Sequence, residues 1–196
     1  MSREIVFDIE TIGDIKNLST MKVTVVSIYE YESDSYRSFE EHELKDLWPI
    51  LEKAERIIGY NSEHFDVPIL NRYYAGDLTI IPHLDLLKVI KESCGKRFKL
   101  DDVAQATLQM KKSADGLIAM EWFKNGEIQK VKDYCEQDVK VTKEVYDHGK
   151  KNSMIYYPTI QGDIMPISVN FASFPVAEGA SQSGAVGGGI NLTLPI

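Results

Sequence analysis

The sequence predicts an α/β fold with a mixed β-sheet, and three features of its 196 residues support this prediction. Residues 3–10, 22–30 and 35–40 alternate in polarity or are rich in Ile, Val and Phe, which indicates three successive strands. The connections between them are short, so these strands are expected to form an antiparallel meander. From residue 43 onward, apolar residues at helical spacing alternate with short apolar runs, a pattern typical of helices packed against a sheet.

The later elements follow in order along the chain. An amphipathic helix is predicted over 43–54, and Pro49 is expected to bend or restart it. A short buried parallel strand at 56–60 comes next, followed by a helix that Asp66 caps and that continues to about Tyr74. The remaining predicted elements are a strand or helix that starts at His83, a helix that starts at Leu100, and helices over 115–123 and 127–149.

The C-terminal part of the chain differs in composition from the rest. Residues 156–170 are predicted to form a hairpin that turns near Gly162, and residues 179–189 consist mostly of Gly, Ala and Ser. Such a composition buries little apolar surface and indicates a loosely ordered segment. The predicted organisation is a main domain over 1–153, a hairpin extension over 154–171 and a tail over 172–196.

Composition excludes some classes of function. The formal net charge of −8 argues against nucleic-acid binding by bulk electrostatics, but an enzyme that holds a strand end through cations can be acidic overall. No apolar run approaches the ~20 residues that a membrane span needs, and the first residues lack signal-peptide features, so a cytoplasmic location is expected. Cys94 and Cys135 form no CxxC motif, so neither a zinc site nor a disulfide is expected.

Two carboxylates on the first predicted strand form the first candidate metal site. Asp8 and Glu10 are two residues apart, so on a strand both side chains project from the same face. Among neighbouring Ile, Val and Phe residues, the two charges would repel each other and lose hydration. A bound divalent cation would remove that cost, whereas an edge strand with a solvated acidic face would explain the same pattern without a metal.

Three further residues have an ordinary structural explanation when each is taken alone. Asp66 precedes a predicted helix, where a carboxylate serves as an N-cap. Tyr134 and Asp138 are four residues apart on the long predicted helix and share a face. Tyr134 is also compatible with a core position and Asp138 with an exposed helix surface. These explanations leave the order of the three groups along the chain to chance.

Taken together, the groups resemble the three exonuclease motifs of the DEDD superfamily, tyrosine branch, and the resemblance covers residues 3 to about 150. The residues that carry it are Phe7-Asp8-Ile9-Glu10-Thr11, Asn61-Ser62-Glu63-His64-Phe65-Asp66 and Tyr134-Cys135-Glu136-Gln137-Asp138. Within that superfamily the chain is most similar to stand-alone exonucleases related to B-type polymerases, through the segments at 83–87, 100–104, 113–117 and 134–139.

The resemblance implies a ribonuclease H-like three-layer fold and a 3′-to-5′ exonuclease that releases 5′-mononucleotides. It implies that two divalent cations, Mg²⁺ or Mn²⁺, bind to four carboxylates, and that a tyrosine positions the attacking water. The substrate implied is a nucleic acid with a free 3′ end, expected to be single-stranded, and a polymerase or repair enzyme is a possible partner. The residues assigned in this way are Asp8, Glu10, Asp66 and Asp138 as metal ligands, Tyr134 as the further catalytic residue, and Thr11, Asn61 and Phe65 as substrate-binding residues.

Three alternatives stay open at the level of sequence. The first is a catalytically inactive module of the same fold that binds nucleic acid or acts as a scaffold. The second is an endonuclease of a related fold, whose last helix generally lacks the paired tyrosine and aspartate. The third is a structural α/β protein whose acidic residues are surface charge, which would show no dependence on metal.

Overall fold

The computed structural model describes residues 2–110 and 117–172, and its main feature is a five-stranded mixed sheet. The strand order is β3-β2-β1-β4-β5. The first three strands pair antiparallel, and β4 and β5 then extend the sheet in parallel on the other side of β1. The strands are β1 (Glu4–Ile12), β2 (Lys22–Glu30), β3 (Ser35–Glu40), β4 (Arg56–Gly59) and β5 (His83–Asp85).

Helices cover both faces of this sheet, which gives three layers. On one face, the first two helices pack against Ile5, Phe7 and Ile9 of β1. On the opposite face, the third, fourth and sixth helices pack against Val6 and Ile58. The helices are α1 (Leu44–Leu51), α2 (Asp66–Leu70), α3 (Leu86–Cys94), α4 (Leu100–Leu108), α5 (Leu117–Lys124) and α6 (Ile128–Asn152), with 3-10 turns at Leu18–Thr20, Glu41–Glu43 and Leu78–Ile80. This arrangement confirms the predicted fold class.

Two predicted helices differ from the observed ones. The helix predicted over 43–54 begins as a 3-10 turn and ends as an α-helix at Leu51, with Pro49 inside it. The helix predicted to reach Tyr74 ends at Leu70, where the Asn71 side chain accepts a hydrogen bond from the Leu78 amide at 2.7 Å and the chain turns. For the helix predicted over 115–123, the structure describes Leu117–Lys124, and residues 111–116 lie outside the described part.

A buried charge network fixes α6 against the sheet. Glu4 of β1 accepts hydrogen bonds from Arg56 of β4, and also from Tyr146 and Lys150 of α6 at 2.8 Å each. Burial alone raises the pKa of Glu4, but these donors together hold it below its ordinary value.

Among the described residues, α6 and the other helices lack the combination of length and hydropathy that is needed to cross a bilayer.

A two-stranded hairpin follows α6. Its strands are β6 (Met154–Pro158) and β7 (Ile164–Ser168), so the turn includes Gly162, whose φ is 90°. Ile155 and Ile167 at its base are buried with the residues of α4 and α6. Behind it, the ring of Phe171 lies so close to Gly149 that a Cβ there would meet ring atoms at 2.4 Å. Residues 173–196, which include most of the predicted tail, lie outside the described part of the chain.

Candidate active site

The candidate site starts on β1, where Asp8 and Glu10 lie on the same face as Val6 and point toward α6. The parallel pairing of β4 with β1 ends at Val6, whereas β2 continues to pair with β1 as far as Ile12. The part of β1 beyond Val6 is therefore open on the β4 side. Two carboxylates reach this opening as half-buried side chains on a central strand, so the edge-strand explanation for them is wrong.

Asp138 of α6 completes a group of three carboxylates. Each of Asp8, Glu10 and Asp138 offers an oxygen within 4.8 Å of the others, which is the spacing of ligands around a metal ion. Burial, followed by repulsion from the neighbouring carboxylates, raises the pKa of Glu10 to about 8 and that of Asp8 well above its ordinary value. Burial and the nearby Asp101 raise the pKa of Asp138 to about 7.

Asp66 lies beside this group as a fourth carboxylate. It is the first residue of α2 and is 4% exposed, and the Ile9 amide donates a hydrogen bond to its carboxylate. Repulsion from Asp66 is the largest charge effect on Asp8, and burial raises the pKa of Asp66 itself to about 7. The predicted N-cap role of Asp66 is wrong, because Phe65 occupies the cap position and the Asp66 carboxylate is directed toward β1 instead.

Tyr134 lies one helical turn before Asp138 on α6. Its hydroxyl donates a hydrogen bond to the Asp138 carboxylate, which partly offsets the rise in the pKa of that group. Its ring meets the edge of Trp122 on α5, with ring centroids 6.2 Å apart. Tyr134 is half-buried, so its ring is fixed by packing while its hydroxyl stays at the carboxylate cluster.

Cys135 packs against Asp8 of the cluster, a contact that the sequence did not indicate. Its thiol is fully buried and lies 3.4 Å from the backbone oxygen of Asp8 and 3.7 Å from its carboxylate. The hydrogen bond from Cys135 slightly lowers the pKa of Asp8, against the effect of burial. Cys135 is adjacent to Tyr134 in sequence, so α6 contributes two neighbouring residues to the site.

The loop from Gly59 to Asp66 carries two of the predicted substrate-binding residues. Asn61 adopts a left-handed conformation with φ 64°, and Phe65 is half-buried against the α1 and α2 core. Thr11, the third predicted residue, is 8% exposed and follows an irregularity in the pairing of β1 with β2. The structure thus brings Asp8, Glu10, Asp66 and Asp138 together with Tyr134, and it places Asn61 and Phe65 on the loop that leads to Asp66.

Asp85 at the end of β5 holds this loop in place. Its carboxylate accepts hydrogen bonds from the amides of Asn61 at 2.8 Å and Glu63 at 3.1 Å. The same carboxylate caps α3 through the amides of Leu87 and Lys88. Next to it, His83 Nε2 lies 2.9 Å from the Ser62 hydroxyl, and burial lowers the pKa of this imidazole. His83 and Asp85 therefore support the loop rather than each other.

The donor set fits divalent cations. The four carboxylates contribute only hard oxygen ligands. Among the described residues, the group of Asp8, Glu10 and Asp138 includes no Cys or His ligand. The charges that raise the pKa values of Asp8, Glu10 and Asp138 all come from other carboxylates, so the cluster lacks compensating positive charge. Hard oxygen ligands and an excess of negative charge are the conditions under which proteins bind divalent cations.

Comparisons with known proteins identify the family and the fold. A family model described as RNase_H superfamily matches residues 5–149, a range that includes all four carboxylates and Tyr134. This match confirms the ribonuclease H-like resemblance found in the sequence. No curated protein sequence matches the chain.

Three solved structures share the fold. The family B DNA polymerase from the hyperthermophilic archaeon Pyrobaculum calidifontis has a TM-score of 0.62 at 19% identity, over 76% of this chain and 24% of the polymerase chain. The EXO domain of Aedes aegypti Nibbler has a TM-score of 0.57 at 12% identity, over 76% and 78% of the two chains. Trypanosoma brucei RNase D has a TM-score of 0.55 at 14% identity, over 75% and 57%. The chain thus spans about a quarter of the polymerase and just over half of the RNase D.

Proposed function

The chain belongs to the RNase_H superfamily, and from this premise we propose that it is a metal-dependent 3′-to-5′ exonuclease of the tyrosine branch of the DEDD superfamily. The observation that carries the proposal is the group formed by Asp8, Glu10 and Asp138, with Asp66 beside it. The three structures with the same fold are a DNA polymerase, an EXO domain and an RNase D, which supports a nuclease in general.

The four carboxylates would hold two divalent cations, Mg²⁺ or Mn²⁺. When bound, these ions would supply an activated water for attack on the terminal phosphodiester and stabilise the departing 3′ oxygen. The residues of the chain provide the ligands and the orientation. Without cations, burial and repulsion from nearby carboxylates raise the pKa values of all four groups, so cation binding would stabilise their charged form.

Tyr134 orients the water that attacks the phosphodiester. Its hydroxyl donates to the Asp138 carboxylate, and its ring packs against Trp122, so the hydroxyl is held at the edge of the cluster. Asn61 and Phe65 contact the terminal nucleotide, and Thr11 contacts it from β1. A stacking contact between Phe65 and a base tolerates any base sequence. The product is a 5′-mononucleotide, and the substrate is a single strand with a free 3′ end.

The activity is tested by incubating 5′-labelled single-stranded DNA and RNA with the purified protein in Mg²⁺, in Mn²⁺ and in chelator. We expect a metal-dependent ladder that shortens from the 3′ end and is absent in Asp8→Ala and Asp138→Ala. A substrate with a blocked 3′ end should resist degradation; if it is cut internally, the protein is an endonuclease. If neither nucleic acid is cleaved under any condition, the proposal fails and an inactive binding or scaffolding module takes its place.

A further inference from the structure

A loop between α3 and α4 continues the surface of the proposed nucleotide site. In this loop, residues 95–99, the Arg97 guanidinium donates a hydrogen bond to the Asn61 side-chain oxygen at 2.5 Å. The Tyr60 hydroxyl donates to the backbone oxygen of Phe98 at 2.8 Å. Two separate bonds therefore join the loop to consecutive residues of the segment that carries Asn61, and anything bound at Asn61 can extend over the loop.

The C-terminal hairpin meets this loop through a pair of aromatic rings. Phe98 and Tyr157 of β6 have centroids 4.4 Å apart and planes inclined by 32°, and both side chains are partly exposed. Met165 lies directly opposite Tyr157 in the hairpin, so it projects from the same face, and it is 44% exposed. Ile155 and Ile167 lie on the same face but are buried. This face of the hairpin is therefore buried at Ile155 and Ile167 and becomes exposed at Tyr157 and Met165, beside Phe98.

Basic side chains flank the aromatic pair. Lys96, Arg97 and Lys99 are all exposed, and none of them forms an ion pair with another described residue. The chain carries a formal net charge of −8, and its catalytic cluster is acidic. These three cations form a basic cluster beside two partly exposed rings on a chain whose net charge is negative. The combination of cations and exposed rings is what single-stranded nucleic acid requires, since the cations meet phosphates and the rings stack with bases.

We propose that Phe98, Tyr157 and Met165 form a subsite that binds the nucleotides on the 5′ side of the 3′ terminus. A base stacks on the exposed surface of Tyr157 and Met165, and the phosphates lie near Lys96 and Lys99. The bound nucleic acid is single-stranded, because the bases of a duplex already stack on each other. This inference rests on the proposed function for the polarity of the strand. Tyr157 and Met165 lie outside the residues 5–149 that match the family, whereas Phe98 lies within them, so the C-terminal hairpin adds two of the three side chains of the subsite.

The test compares substrates that do and do not reach the hairpin. The p-nitrophenyl ester of thymidine 5′-monophosphate has no upstream nucleotide, whereas single strands from about two to about twelve nucleotides extend progressively over the loop. We expect Tyr157→Leu to raise KM for the longer strands by about tenfold, with little change for the p-nitrophenyl ester or a dinucleotide. Tyr157→Phe keeps the ring and should behave as the wild type. Lys96→Ala with Lys99→Ala should lower the slope of log affinity against log salt by about 0.7 for each lost phosphate contact.

Tyr74→Leu is the matched control, because it removes a ring that packs against Trp48 at 5.2 Å rather than against the loop or the hairpin. Thermal unfolding of each variant establishes that it is folded. If Tyr157→Leu keeps the wild-type KM at every length while the p-nitrophenyl ester is hydrolysed, the subsite is refuted and the proposed function stands. The apolar hairpin face would then be assigned to a protein partner.

Binding keeps the subsite testable if the proposed function fails. Should the wild type hydrolyse neither the ester nor any oligonucleotide, fluorescence anisotropy with a 5′-fluorescein-labelled oligothymidine measures affinity directly. A roughly tenfold weaker affinity of Tyr157→Leu relative to wild type and Tyr74→Leu supports the subsite. Equal affinity of all three proteins overturns it.

Discussion

At the scale of single residues, the carboxylate cluster lowers the stability of the folded protein when no metal is bound. Burial and repulsion raise the pKa of Asp8, Glu10, Asp66 and Asp138, which means that their ionisation destabilises the folded state near neutral pH. Carboxylates that lower the stability of the fold do not serve packing, so we infer that they serve to bind a ligand of opposite charge. The cluster thus provides a direct test of whether cations belong there.

Asp138→Asn removes one charge from this cluster while it keeps the size and polarity of the side chain. We expect the free energy of unfolding in chelator at pH 7.5 to rise by at least about 1 kcal/mol. Each unit of raised pKa corresponds to about 1.4 kcal/mol, and the partial exposure of the Asp138 side chain reduces the total. The same change should abolish stabilisation by added Mn²⁺. Urea unfolding with and without Mn²⁺ measures both effects.

Asp133→Asn is the control for this measurement. Asp133 lies on the same helix but is exposed, and its carboxylate accepts a hydrogen bond from Gln129. We expect it to leave both the metal-free stability and the Mn²⁺ effect close to those of the wild type. If Asp138→Asn in chelator is instead less stable than the wild type, by as much as Asp133→Asn or more, the argument from charge repulsion is contradicted.

Tyr134→Phe separates catalysis from packing. The ring against Trp122 is kept and only the hydroxyl that donates to Asp138 is lost, so stability should change by less than about 1 kcal/mol. We expect kcat to fall about 100-fold, since positioned proton-handling groups contribute factors of about 10² to 10⁴. Steady-state kinetics on a labelled oligonucleotide measures this. Tyr36→Phe on β3 is the control, and an equal loss in both variants would remove Tyr134 from the proposed mechanism.

At the scale of elements, Asp85 connects β5 and α3 to the loop that ends at Asp66. The Asp85 carboxylate accepts hydrogen bonds from four backbone amides. Asp85→Ala should therefore lower the free energy of unfolding by about 2 kcal/mol. Release of Asn61 should also raise KM. Urea unfolding and kinetics are the two readouts.

Asp77→Ala gives the comparison for Asp85→Ala. Asp77 caps the 3-10 turn at Leu78–Ile80 through Thr79 but is exposed, and its carboxylate accepts hydrogen bonds from Thr79 and Asn71 rather than from the loop. We expect a smaller loss of stability, about 1 kcal/mol or less, and an unchanged KM. If Asp85→Ala keeps the wild-type KM, the loop does not depend on Asp85 for its position.

The elements that the sequence predicted well are those with a clear periodicity. The alternation in 3–10 and 22–30 and the long apolar stripe of α6 correspond to β1, β2 and Ile128–Asn152. The boundaries failed where a hydrogen bond to a later part of the chain accompanies the end of an element, as the bond from the Leu78 amide to Asn71 does after α2. Periodicity also contains no information on Asp85 or Arg97, which bind Asn61 across 24 and 36 residues of sequence. Tertiary hydrogen bonds of this kind become visible only in the folded chain.

At the scale of the whole molecule, the resemblance of the three motifs implied the fold. In the observed structure, β1, the start of α2 and α6 bring the four carboxylates together. The division of the chain at residues 153 and 171 stays a prediction, as do the roles assigned to Thr11, Asn61 and Phe65. What the sequence could not give is the proximity of the hairpin to the loop at 95–99, because Phe98 and Tyr157 are joined by packing alone.

The pH dependence of stability is a property of the whole molecule that follows from its carboxylates. The pKa values of Glu10, Asp66 and Asp138 are raised to about 8, 7 and 7, so the folded state binds more protons than the unfolded state above pH ~4. Metal-free stability should therefore fall as pH rises from about 4 to about 8, and stabilisation by Mn²⁺ should grow over the same range. Thermal unfolding in chelator and in Mn²⁺ measures this.

The acidic side of the same profile has the opposite sign. Glu4 has a lowered pKa because of its bonds to Lys150, Tyr146 and Arg56, so its contribution to stability is lost as pH falls below its unfolded value of 4.5. Glu4→Gln should lessen this acid-side loss and leave the effect above pH ~5 unchanged. A metal-free profile that is flat or that rises between pH ~5 and ~8 in the wild type would contradict the charge balance described for the cluster.

The central claim, that four carboxylates from β1, α2 and α6 hold divalent cations, is tested most directly by anomalous diffraction from crystals of the protein with Mn²⁺ and a short single strand. The account predicts two anomalous peaks roughly 3.5–4 Å apart, bounded by Asp8, Glu10, Asp66 and Asp138, and none in crystals of Asp8→Ala grown in the same way. Mn²⁺ peaks elsewhere on the molecule, with none at these four side chains, would contradict it.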